Sequence, residues 1–184
     1  PGQQYLAYFQ AYTNTYSSLD NIKSLYEEAL DHPEVIGLVI GTRPDCISEE
    51  LLDYLEELSK EYFISLEFGI ESTSDKTLSR INRGHDFAAA VDALKMCEPY
   101  SFYTGVHMIL GLPGESEADL LQHVKQLNSL KFTFLKLHQM QIIRGTRIEL
   151  EYAKKKSDFI QFTAEQYIDL VIRFLELLNP DVIV

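Results

Sequence analysis

Tryptophan is absent from this chain of 184 residues, methionine occurs three times and cysteine only twice. Cys46 and Cys97 stand far apart and match no metal-ligand spacing, so a disulfide scaffold and a self-contained metal knuckle are excluded. Both read as small apolar packing residues. Long apolar runs are missing too: none approaches the roughly 20 residues of a membrane-spanning helix, and no signal-peptide pattern opens the chain. Basic residues are scarce, 16 Lys and Arg against 28 Asp and Glu. The net charge of −12 argues against generic binding to a nucleic-acid backbone, which needs clustered cations. It leaves open a nucleic-acid substrate held by other parts of a larger protein. The one basic cluster, Lys154-Lys155-Lys156, reads as a solvated helix end. Low-complexity stretches and linkers are also missing. What remains, 46% apolar and 24% charged residues, is the composition of a soluble globular protein with material for one domain over 1–184. A soluble, cytoplasmic enzyme fragment with no membrane association is the plainest expectation.

Strand and helix patterns alternate from end to end. Strands are expected at Tyr5–Ala11, Val35–Gly41, Phe63–Ile70, Phe102–Leu110 and Phe132–Met140. Helices are expected after Ser18, Ser48 and Asp86, after a capping box at Ser116 and Asp119, and after another at Thr163 and Gln166. The segment from Ile142 to Phe162 is less regular and reads as a loop with a short helix. Repeated βα units of this length predict a parallel sheet with right-handed crossovers. The chain opens almost directly into a strand, and Asp181–Val184 reads as the start of another. The expectation is therefore a piece of a longer protein.

A parallel strand covered by helices on both sides should be apolar on both faces. The third strand is not: Ile64, Leu66, Phe68 and Ile70 alternate with Ser65, Glu67, Gly69 and Glu71. The fourth sets Val106, Met108 and Leu110 against Tyr103, Gly105, His107 and Ile109; the fifth sets Leu135 and Leu137 against Lys136 and His138. In the first, Tyr8, Gln10, Tyr12 and Asn14 share a side. A doubly wound sheet has no place for so many polar groups. A barrel or partial barrel with helices outside and a polar lumen does. Polar or Gly-rich turns follow every strand, at Thr13-Asn14-Thr15, Thr42–Asp45, Glu71-Ser72, Gly111–Glu115 and Arg144–Thr146. That edge is where parallel α/β folds bind ligands. Plainer readings stand beside each signal: Gly111–Gly114 as a tight turn, Arg83 with Glu71 as a structural ion pair, His107 as a satisfied core histidine, Arg43 as an anchor for Asp45.

The run from Glu67 to Asp86, with Glu-Phe-Gly-Ile-Glu-Ser and Ser-Arg-Ile-Asn-Arg-Gly-His-Asp, resembles the fourth barrel strand and following helix of radical SAM enzymes. Gly105–Glu115, ending Gly-Leu-Pro-Gly-Glu, resembles their fifth strand. Thr42–Asp45 is similar to the third-strand end in the branch that holds the Elongator catalytic subunit. Tyr8–Tyr16 resembles a variant second strand, most like that of an uncharacterised bacterial group. The likeness runs from Tyr8 to about Glu151. It implies an α/β fold, a partial TIM-like (β/α)6 barrel lacking its first strand here, that holds S-adenosylmethionine and a 4Fe–4S cluster. It implies reductive cleavage of that cofactor to a 5′-deoxyadenosyl radical, fed by an electron donor such as flavodoxin or ferredoxin. By position, Thr13, Asn14 and Thr15 would face the methionine end, in place of the family's commoner Gly-Gly-Glu. Glu71 and Arg83 would bind the ribose and carboxylate ends, His107 would touch the cofactor, and Gly41 and Gly111 would let backbone approach it. Glu67, Lys136 and His138 would lie in the lumen on the substrate side.

The family's Cys-x3-Cys-x2-Cys loop occurs nowhere in the sequence, so metal ligands are expected to be absent and the chain alone to be inactive. Two other readings remain open: a non-redox βα-barrel enzyme using Glu67 or Glu71 with His107 as acid and base, and a non-enzymatic barrel adaptor. The substrate is not specified; an RNA would follow only by analogy with the Elongator branch.

Overall fold

All five strands run in the same direction and pair in chain order: β1 (Tyr5–Phe9), β2 (Val35–Thr42), β3 (Phe63–Glu71), β4 (Tyr103–Leu110) and β5 (Phe134–Gln139). The computed structural model describes residues 2–184. Each crossover is helical: α1 (Leu19–Leu30), α2 (Glu49–Ser59), α3 (Asp75–Arg80) followed by α4 (Phe87–Cys97), and α5 (Glu117–Leu127). After β5 come α6 (Arg147–Lys154) and α7 (Ala164–Leu177). Helices start where short polar side chains can cap them. Ser48 and Asp86 accept from the third backbone N–H beyond them, and Ser116/Asp119 and Thr163/Gln166 close reciprocal boxes. Such caps contribute about 1 kcal/mol each.

The outer face of the sheet is apolar and covered. Leu38, Ile40, Ile64, Leu66, Phe68, Ile70, Val106, Met108 and Leu110 are all buried against α2, α4 and α5, which contribute Leu52, Leu55, Leu94, Leu120 and Val124. The inner face is built differently. Its floor is aromatic, with Phe63, Tyr103 and Phe134 in mutual contact (ring centroids 5.0–6.3 Å apart). Above the floor come polar side chains.

The sheet is curled into a half-barrel. A flat sheet would hold β1 and β5 roughly 19 Å apart, at about 4.8 Å per strand. Yet the Lys136 ammonium on β5 donates to the Tyr8 hydroxyl on β1 at 2.7 Å and lies 4.4 Å from that ring's centroid.

The strand order and cap positions agree with the sequence pattern, while several boundaries differ. β1 stops at Phe9 rather than reaching Ala11, so Tyr12 and Asn14 do not continue its alternation. The Asn14 amide donates to the carbonyls of both Phe9 and Gly41 at 2.8 Å, which turns the chain across the strand ends. Tyr12 takes a left-handed φ of 62° in that turn. β5 is shorter than Phe132–Met140, and α3 is a separate element that the apolar spacing does not reveal. Ile183 pairs with Phe134 in parallel, through Leu135 N–H to Ile183 O (2.8 Å) and Ile183 N–H to Thr133 O (2.9 Å).

Candidate functional site

At the C-terminal rim the strand ends enclose a cavity of about 530 Å³. β2 contributes Gly41, β3 contributes Glu67, Gly69 and Glu71, β4 His107, and β5 His138; Arg83 enters from the loop after α3. Six of the sequence-derived candidates thus share one space. Thr13, Asn14, Thr15, Gly111 and Lys136 do not line it; Lys136 lines the lumen below, beside Phe134. Thr13 lines an adjoining hollow with Tyr16 and Arg43, and Thr15 lines a space between the starts of α1 and α2. Gly111 borders a small recess beside Met140 and Phe162. Asn14 and Thr15 are also committed elsewhere: Asn14 to the two carbonyls above, Thr15 to the Thr42 hydroxyl (2.5 Å) and the Cys46 carbonyl. Arg43 donates to Asp45 at 2.8 Å, which holds that carboxyl below the usual carboxylate range and anchors the turn.

The end of β3 gives the rim its shape. A bulge interrupts the β3–β4 ladder between Gly69 and Glu71, and Glu71 has a φ of 69°. Simple alternation would not predict this. Arg83 bonds the Gly69 carbonyl through Nη2 (2.7 Å) and Nε (3.2 Å) and lies 3.2 Å from Glu71 Oε1. A Cβ on Gly69 would collide with the Arg83 guanidinium and approach Glu71 Oε1 to 2.7 Å. Glycine leaves room for the ion pair folded over it; an alanine methyl would push the ends of both side chains aside.

Deeper in the lumen four strands converge on Glu67. His107 Nε2 lies 2.6 Å from Glu67 Oε2, the Tyr8 hydroxyl donates to the same oxygen at 3.2 Å, and Lys136 Nζ is 3.7 Å from it. His138 stacks obliquely beside His107, their ring centroids 5.6 Å apart. Gly105, directly opposite Glu67, leaves room for it: a Cβ there would lie 2.9 Å from Glu67 Cγ. Tyr8 and Gly105 share the inner-face parity in the sequence but were not among the candidate site residues. The signal was present, since a glycine mid-strand marks a close approach.

The two carboxyls hold protons differently. Burial pushes Glu71 upward, and the nearby Arg83 and His107 charges only partly oppose it. Burial also pushes Glu67 upward, but the bonds and charges of His107, Lys136 and Tyr8 outweigh it and hold Glu67 below the usual range. Burial, helped by the His107 and Lys136 charges, lowers His138.

Among the described residues no group of three or more His, Cys, Asp or Glu side chains could hold a metal ion. Burial raises the Cys46 thiol and pushes Cys97 up to about 12, so neither is poised as a thiolate ligand. An iron–sulfur cluster has no ligand set among these residues. No helix among them is long and apolar enough to cross a membrane.

A curled parallel sheet with helices on its outside and a polar cavity at the strand C-termini defines a TIM-like half-barrel. The chain belongs to the radical SAM superfamily: residues 2–127 match the Radical SAM superfamily model and residues 132–184 the Radical_SAM C-terminal domain. It is 38% identical over 183 residues to the uncharacterized protein MJ0486 of Methanocaldococcus jannaschii, covering 99% of this chain and 56% of that one. It is 39% identical over 145 residues to protein YhcC of Escherichia coli, covering 78% of this chain and 47% of that one. The chain thus spans about half the length of these relatives. Among solved structures, the archaeal Methanocaldococcus infernus Elp3 superposes with a TM-score of 0.69 at 22% identity, over 91% of this chain and 38% of that one. At that identity the likeness speaks for the fold.

Proposed function

We propose that the rim cavity binds S-adenosylmethionine and that the chain is one domain of the catalytic core of a radical SAM enzyme. The observation that carries this reading is the Glu71–Arg83 pair over the bare Gly69, facing His107 in one cavity of a radical SAM half-barrel. The donor set fits the cofactor. A guanidinium suits its carboxylate, a carboxylate suits its amino or ribose hydroxyl groups, and Gly41 lets a ligand meet backbone. In this reading Glu71 and Arg83 hold the two polar ends, and His107 adjoins the cofactor from β4. Thr13, Asn14, Thr15 and Gly111 shape the surrounding turns. Glu67, Lys136 and His138 face the substrate.

When bound, the cofactor supplies a 5′-deoxyadenosyl group that abstracts a substrate hydrogen once an electron reaches it. The described residues offer no ligands for the cluster that delivers that electron. An external electron donor of the flavodoxin or ferredoxin type belongs to the same proposal, and the substrate is left open. What this chain's own residues do is orient and exclude. The aromatic floor closes the lumen from below, and the Glu67 cluster presents one ionised carboxylate among three donors.

Titration calorimetry of the chain with S-adenosylmethionine tests the proposal. Saturable binding is expected, weakened tenfold or more by Arg83→Ala, as loss of a charge-assisted hydrogen bond of about 1.5–3 kcal/mol implies. Absence of binding to the unsubstituted chain sinks it.

One observation favours a second reading. The 2.6 Å Glu67–His107 contact, flanked by Tyr8 and Lys136, is an acid–base arrangement that needs no redox cofactor. If the chain fails to bind S-adenosylmethionine, that reading gains.

A further inference from the structure

Behind the rim, outside the cavity, lies a second ionisable pair. Glu115, which ends the turn after β4, and His123 on α5 have side chains only 2% and 3% exposed, with Nε2 3.3 Å from Glu115 Oε1. The Ser72 hydroxyl donates to Glu115 Oε1 at 2.6 Å and the Thr73 hydroxyl lies 2.7 Å from His123 Nδ1. Thr73 also meets the Gln126 carboxamide oxygen.

Counting donors locates the hydrogens. The Thr73 hydroxyl has one hydrogen and Gln126 Oε1 can only accept, so the Thr73–His123 bond uses a hydrogen on Nδ1. His123 Nε2 and Glu115 Oε2 have no hydrogen-bond partner.

The network adjoins a strained backbone. Ser72 N–H donates to the Ile70 carbonyl at 2.9 Å across Glu71, whose φ is 69°: a γ-turn of the rare, strained hand. Such a bend persists only where its surroundings over-determine it. Its next residue, Ser72, is fully buried and bonded to Glu115. We propose that Glu115 and His123 are positioning residues: the Ser72–Glu115 and Thr73–His123 bonds fix the β4–α5 turn and α5 against the end of β3 and keep Glu71 in its bend. The consequence for a cofactor rests on the reading above; the positioning itself does not.

Nuclear magnetic resonance of the labelled chain at pH 7 tests it. Glu115→Ala should abolish the left-handed three-bond coupling of Glu71 while the sheet amide pattern persists. Glu115→Gln, whose amide oxygen can still accept from Ser72, should restore it. Should Glu115→Ala fail to fold, Ser72→Ala removes the linking hydroxyl, together with the bond it accepts from Ser74 N–H (3.1 Å), and should shift the same coupling. An unchanged Glu71 coupling in Glu115→Ala or Ser72→Ala overturns the proposal. A changed coupling supports it even in a chain that shows no S-adenosylmethionine binding, in which case the cofactor reading alone falls.

Discussion

The middle of β3 and its end each carry a glutamate largely shut off from solvent, yet the two sites are built in opposite ways. Glu67 has two hydrogen-bond donors on one oxygen and an ammonium 3.7 Å from it, and is held ionised; Glu71 has one guanidinium at 3.2 Å whose better bond goes to a carbonyl. Burial acts upward on both, and the partner count decides the outcome. The mid-strand carboxylate is engaged within the protein through Oε2. The strand-end carboxylate is left under-paired, with capacity for something that arrives.

The substitution that should erase this difference most strongly is Gly69→Ala. Its methyl would occupy the space of the Arg83 guanidinium and the Glu71 carboxylate, at a cost of about 1–3 kcal/mol in overpacking. Thermal denaturation should register the loss, and S-adenosylmethionine affinity should fall further than in Arg83→Ala. A fully stable Gly69→Ala chain with unchanged affinity would mean that the ion pair does not lie over residue 69.

Glu67→Gln comes next, at about 1–3 kcal/mol, because it leaves His107 and Lys136 without their anion. It should also change the pH profile. A carboxyl held low in the folded state binds protons first in the unfolded chain. Its stabilisation is present above the ordinary carboxylate range and is lost as pH falls through the folded value. Denaturant melts of the wild type should therefore weaken on acidification, and Glu67→Gln should flatten that limb. An identical acid limb in both would contradict the assignment.

Glu71→Gln should have the smallest effect on stability. A carboxyl pushed up contributes stability below its unfolded pKa that is lost as pH rises through the folded value. The neutral amide should hence leave the midpoint at pH 7 unchanged or slightly higher, while cofactor affinity drops about tenfold, the equivalent of 1.4 kcal/mol. A large loss of stability would place Glu71 with Glu67 as a structural anion.

Much of this was legible in the residues themselves. Period-two alternation through Leu66, Phe68, Val106 and Met108 marks the outer face, and serine, aspartate and threonine caps mark the helix starts; both are local, chemically simple signals. The polar inner parity of Glu67, His107 and Lys136 identifies a lumen rather than a doubly wound sheet. What the pattern hid depends on non-local geometry. The bulge at Glu71 needs Arg83 packed over Gly69, the early stop of β1 needs Asn14 to find the Gly41 carbonyl, and Glu115 meets His123 only after α5 docks.

The bond between Lys136 and Tyr8 joins residues 128 positions apart in the chain. It can form only after four successive strand pairings are in register, so it belongs to the last stage of folding. Its loss should be felt almost entirely on the way out: Lys136→Met should speed unfolding in a chevron experiment and leave the refolding limb where it was. The same bond is thus a clock as well as a contact, closing when the half-barrel has finished curling.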